Sequence, residues 1–127
     1  MNNKLLIVTH GDLGEAIIGV ARKIIGNVDE ETVFALSNEG LSTSELSERI
    51  RAIISKYSDS FFIIATDFPG GSCFIAARKT SSSNKKSATV SGVNISMILS
   101  FLTKKELYSG QKLVEIIKTD GNRAILS

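Results

Sequence analysis

Apolar residues fall into two patterns along this chain. Four short runs rich in apolar and β-branched residues, KLLIVT (4–9), TVFAL (32–36), FFIIAT (61–66) and SATVSG (87–92), predict strands. Between them apolar positions recur at helical spacing: Leu13, Ile17, Val20, Ala21 and Ile24, closed by Gly26, and then Leu46, Ile50, Ile53, Ile54 and Tyr57. Each set is expected to turn one apolar face toward a sheet. The alternation of strand and helix predicts an α/β fold with a mainly parallel sheet. Ser42 with Glu45, and Thr103 with Glu106, have the hydroxyl and carboxylate of a capping box and predict two helix starts. The C-terminal part reads as a helix near Asn94 to Phe101, another near Lys104 to Lys118, a turn at TDGN (119–122) and a short last strand, RAIL (123–126).

No repeat or linker divides the 127 residues, and the expectation is one domain spanning 1–127. The serine-rich stretch KTSSSNKKSA (79–88) is expected to end a helix and lead into the fourth strand. Its Lys79, Lys85 and Lys86 read as a solvated loop, with docking of an acidic partner as the alternative. A net charge of +2, with 22% charged and 43% hydrophobic residues, fits a globular chain and gives no electrostatic footprint for nucleic acid. The lone Cys73 cannot form an internal disulfide, which suits a reducing cytoplasm. One histidine and one cysteine give no zinc spacing, so no metal is expected. The first apolar run is shorter than a signal peptide's apolar region, and VNISMILSFL is about half a membrane span, so a soluble protein is expected.

In parallel sheets ligands gather beyond the carboxyl ends of the strands. The loops to watch are therefore THGDLG, LSNEGLS, TDFPGGS and SGVNIS. The first carries His10, the only histidine, and the third carries Asp67 at an equivalent strand end. A carboxylate that accepts a hydrogen bond from one ring nitrogen would fix the tautomer and free the other lone pair for attack. Gly70, Gly71 and Ser72 then offer close backbone approach, a hydroxyl and a helix N-terminus, which are phosphate-binding features. Spacing alone leaves other readings open: a structural histidine, an Asp67 that only caps a helix, and a glycine pair that only turns. Cys73 reads as a packed side chain, with a nucleophile as the alternative. No P-loop and no G-x-S-x-G elbow is present. A mutase-type histidine phosphatase would need Arg in place of Thr9 and a second histidine.

These segments resemble the IIA components of the mannose-type (mannose, fructose, sorbose) bacterial sugar phosphotransferase system. IVTHGDLGEAIIGVARKIIG is similar to that family's opening strand, histidine and helix. ATDFPGGSCFIAA is similar to its Asp, Gly-Gly-Ser and small-residue helix, and VSGVNISMIL to its Gly-Val-Asn segment. The resemblance implies that His10 is phosphorylated, that Asp67 orients its ring, and that Gly70, Gly71 and Ser72 help hold the phosphoryl group. It implies a parallel sheet with helices on both faces, and a homodimer in which the C-terminal strand, antiparallel to the rest, crosses to the partner subunit. Cys73 and Ser96 stand where Pro is common in the family, and Ile75 where Asn is frequent. These departures leave the histidine chemistry intact and the sugar open.

The function so implied is a cytoplasmic phosphoryl relay without cofactor. HPr is the donor and a IIB component the acceptor, with the membrane IIC and IID components linked indirectly and the chain associating peripherally with that permease. Two alternatives share the histidine: the phosphotransfer subunit of a dihydroxyacetone kinase, and a regulatory module whose phosphorylation controls a binding partner.

Overall fold

A computed structural model describes residues 2–127. Nine elements follow in order: β1 (Asn2–Thr9), α1 (Leu13–Ile25), β2 (Val33–Ser37), α2 (Thr43–Ser55), β3 (Ser60–Thr66), α3 (Ser72–Ser82), β4 (Ser87–Ser91), α4 (Ile95–Lys104) and α5 (Gly110–Arg123). The four strands form one all-parallel sheet in the order β2-β1-β3-β4. β1 and β3 occupy the centre and are covered on both faces, which is why their sequences are continuous apolar runs rather than alternations.

Side chains alternate between two cores. Leu5, Ile7, Ile63 and Ala65 pack on one face with α1, α4 and α5, whereas Leu6, Val8, Phe62 and Ile64 pack on the other with α2 and α3. Helices therefore cover both faces of the sheet, as expected. The strand order reverses between β1 and β3, because the chain first steps from β1 to β2 and then crosses back to β3. Adjacent connections leave the sheet there toward opposite faces, so their loops part and open a crevice.

The second helix matches its expected face: Leu46, Ile50 and Ile54 are buried, with Ile53 and Tyr57 partly so. Ser42 accepts from the Glu45 N–H while the Glu45 carboxylate accepts from the Ser42 N–H, completing the capping box. The polar stretch after residue 79 ends α3 at Ser82 and enters β4 at Ser87.

Three expectations are corrected. The buried face of α1 is Gly14, Ile18 and Ala21 with Ile17 beside it, while Leu13, Val20 and Ile24 are exposed. The helix carries apolar residues on more than one side, and Gly14 decides which side docks: a Cβ there would already touch Ala35 and Ile7 at 3.4 Å. Thr103 lies inside α4, where its hydroxyl donates to the Leu99 carbonyl, so it caps nothing; Ser109 stands at the start of α5.

The third correction concerns the C-terminus. TDGN is not a turn and RAIL is not a strand, because α5 continues to Arg123. Gly121 allows this by lying against α4, where Asn94 donates to its carbonyl at 3.2 Å and Met97 occupies the space a side chain would need. The residues beyond form no strand in the single chain, and Ile125 and Leu126 are exposed. Among the described residues no helix is long and apolar enough to cross a membrane.

Candidate active site

The β1/β3 crevice is where His10 sits. β1 ends at Thr9, whose hydroxyl accepts the Gly14 N–H at 2.9 Å and ties the loop to the start of α1. Gly11 follows with φ +58°, a left-handed conformation that suits glycine, and its N–H reaches Asn38 Oδ1 at 3.3 Å in the loop after β2. The turn presents the His10 side chain, 41% exposed, across the top of the sheet toward β3.

Asp67, directly after β3, meets it. One carboxylate oxygen, Oδ2, accepts the His10 backbone N–H at 2.9 Å and lies 2.8 Å from ring Nδ1. The other oxygen accepts the Phe68 N–H at 3.0 Å. Burial pushes the Asp67 carboxyl up, but the hydrogen bonds from His10 and Phe68 outweigh it and hold the group below its ordinary value. An ionised Asp67 accepts a proton-bearing Nδ1, which leaves the lone pair on Nε2.

Nε2 faces the glycine turn. A Cβ built on Gly71 would stand 2.7 Å from His10 Cε1 and 3.0 Å from Nε2, so only glycine leaves the ring in place. Gly71 is also the N-cap of α3, Ser72 is the first helical residue, and no side chain caps the helix. The free N–H groups of the first turn, with the positive end of the helix dipole, are thus directed to the neighbourhood of Nε2. Gly70 is exposed and packs against Phe68 rather than against the imidazole. All five expected site residues lie in or directly beside this crevice, with His10, Asp67 and Gly71 in closest approach.

Two participants were not legible in the sequence. The Phe68 ring stacks on His10, with centroids 5.2 Å apart and planes inclined by 25°. Asn38 braces the Gly11 turn. An aromatic beside Pro-Gly-Gly and an asparagine at a strand end are the only signals either gives. Cys73 is buried, as expected, with Sγ 3.8 Å from Nδ1; burial, aided by the Asp67 charge, pushes its thiol up to about 11.

The imidazole stands in the mouth of the crevice, open to solvent. A concavity of about 720 Å³ lies elsewhere, between β4 and α5, and is lined by Thr89, Ser91, Gln111, Glu115 and Lys118 among others.

Known proteins share this fold. The chain aligns at TM-score 0.88 with a phosphotransferase system component EIIA from Streptococcus agalactiae, at 20% identity over 98% of this chain and 96% of that one. It aligns at 0.85 with a PTS IIA protein associated with the fucose utilization operon of Streptococcus pneumoniae (20% identity, 100% and 93% covered). It aligns at 0.79 with a mannose/sorbose specific IIA subunit from Enterococcus faecalis (18% identity, 100% and 95% covered). At these identities the likeness is one of fold. No curated protein sequence matches the chain. The sequence model of the PTS system fructose IIA component family, however, matches residues 4–118, and the chain belongs to that family.

Proposed function

We propose that the protein is a phosphoryl carrier of a sugar phosphotransferase system, taking the group from phosphorylated HPr onto His10 and passing it to a IIB component. One observation carries this reading: Asp67 occupies Nδ1 of the sole histidine while Nε2 faces the uncapped N-terminus of α3.

The phosphoryl group of the donor's phosphohistidine moves in line to Nε2. The donor P–N bond breaks and returns its electron pair to the donor imidazole, and the Nε2 lone pair forms the new bond. The Nδ1 proton stays on the ring, donated in a hydrogen bond to ionised Asp67, whose negative charge stabilises the positive charge that develops on the imidazole. Gly71 admits the group, and the Ser72 hydroxyl with the first N–H groups of α3 holds its oxygens; Gly70 keeps the turn low. Transfer between two imidazoles is nearly isoenergetic, so the protein has mainly to position the reacting atoms. Passage to the acceptor is the same step reversed.

Phe68, about half exposed and stacked on His10, supplies an apolar surface that a docking carrier would cover, and Leu13 at the start of α1 is similarly exposed. The same reading makes the chain cytoplasmic, linked through IIB to membrane IIC and IID components. It also makes the chain a homodimer, supported by the open outer edge of β4 and the exposed Ile125 and Leu126, which gain a pairing surface in a second copy.

Incubation with phosphoenolpyruvate, enzyme I and HPr should add one phosphoryl group, absent from His10→Ala, that a IIB component then removes. Protein that acquires no label, or that cannot discharge it to IIB, contradicts the relay.

A further inference from the structure

The crevice brings together three kinds of donor atom from three segments: an imidazole after β1, a carboxylate after β3 and a thiol in the first turn of α3. His10 Nδ1 is 2.8 Å from Asp67 Oδ2 and 3.8 Å from Cys73 Sγ, and the three ligand atoms all lie within 4.8 Å of one another. Nothing in the spacing 10, 67 and 73 resembles a metal motif, which is why a single histidine predicted no site; the fold supplies the proximity.

Nitrogen, oxygen and sulfur together suit a borderline-soft cation. With bonds of about 2.0–2.1 Å to N and O and about 2.3 Å to S, a tetrahedral centre sets its donors roughly 3.3–3.6 Å apart. The Nδ1 to Oδ2 separation would open by about half an ångström and the Nδ1 to Sγ separation would close by a few tenths. A thiolate and a carboxylate also neutralise a divalent charge, so the occupied site buries no net charge.

We propose that His10 Nδ1, Asp67 Oδ2 and Cys73 Sγ form a binding site for a thiophilic divalent cation of the zinc class, and that its occupancy blocks phosphorylation of His10. The proton balance explains the block. In the metal-free protein the neutral ring carries its proton on Nδ1 and its lone pair on Nε2. On binding, the Nδ1 lone pair ligates the cation, the ring proton moves to Nε2, and the Cys73 thiol releases its proton to solvent. The attacking lone pair is gone, and Asp67 is turned from orienting the ring to ligating the metal. Linkage requires the converse: a phosphoryl group on Nε2 weakens cation binding by the same factor. Binding itself stands on the geometry alone, and only the block rests on the relay reading.

Co2+ is the probe for binding, because its thiolate charge-transfer and visible bands report sulfur ligation and four-coordination. The unphosphorylated protein should bind one Co2+ with both sets of bands, and Zn2+ should displace it. Cys73→Ser should lose the charge-transfer band. His10→Gln, which keeps the thiol, should lose affinity at least as much as the roughly 10–100-fold typical of disturbing a metal's supporting shell. Melting curves establish that both variants are folded. No sulfur band at millimolar Co2+, or a Co2+ affinity unchanged in His10→Gln, overturns the site.

For the second half, Zn2+ at saturation should slow phosphorylation of the wild type by phosphorylated HPr roughly tenfold or more, an effect of the size expected when a reacting group is held in the wrong protonation state. Cys73→Ser, measured against its own metal-free rate, should be much less affected. An unchanged wild-type rate with Co2+ bands present overturns the block. Failure of the metal-free protein to accept phosphoryl at all would instead contradict the relay and leave the spectroscopic result standing.

Discussion

A single oxygen of Asp67 holds His10 twice, accepting its backbone N–H at 2.9 Å and facing its ring Nδ1 at 2.8 Å. Backbone and imidazole are thus fixed by one group, so a change in the carboxylate moves the main chain and the tautomer together. Asp67→Asn keeps the shape but offers an N–H or a C=O to the ring and no charge. Phosphorylation of His10 should slow roughly 10²-fold, about 3 kcal/mol on the barrier, with a small change in melting temperature. Rapid-quench transfer from HPr beside thermal melting checks this; a rate within about twofold of wild type would remove the orienting role.

Gly71→Ala should be nearly as harmful to transfer while leaving the rest of the fold intact. The new methyl would lie 2.7 Å from His10 Cε1, closer than non-bonded carbons approach, so either the ring or the turn must move. A misplacement of about 1 Å in a reacting group costs up to about 10²-fold. Transfer kinetics with a circular dichroism melt would separate this from general destabilisation.

The pH dependence of stability has a defined sign at Asp67. Hydrogen bonds, working against burial, hold its folded-state pKa below the ordinary 3.8. Its contribution is therefore complete above that unfolded value and is lost as pH falls through the lower, folded one. Urea midpoints measured down through the acid range should decline more steeply for the wild type than for Asp67→Asn. Parallel declines would contradict the assignment.

Gly121→Ala tests the reading of the C-terminus. Alanine improves helix propensity by up to about 1 kcal/mol, but its Cβ would stand 2.3 Å from Met97 Cγ, and overpacking of this kind costs about 1–3 kcal/mol. The variant should be net destabilised in chemical denaturation. A gain in stability would mean that α5 does not pack on α4 at this point.

How much of this was legible in the sequence follows from where each signal is stored. β1 and β3 are buried on both faces, so their apolar runs identify them directly, and the capping box at Ser42 is a local hydrogen-bond pattern. His10 and Asp67 were legible because both end strands whose carboxyl ends must converge. The docking face of α1 was not, since apolar residues surround that helix and only the close approach at Gly14 selects a side. TDGN looked like a turn because its continuation as helix depends on Asn94 and Met97, more than twenty residues earlier. Cys73 reads as core in one dimension; its distance to Nδ1 exists only after β1, β3 and α3 have come together.

The most direct test asks which atom of His10 carries the phosphoryl group. Nitrogen and phosphorus NMR on protein labelled at the imidazole and phosphorylated through HPr distinguishes the two ring positions. With Nδ1 engaged by Asp67, phosphorus should appear on Nε2 alone, in one acid-labile, alkali-stable linkage. Phosphorus on Nδ1, on Ser72, or on any residue of a His10→Ala variant would contradict the account.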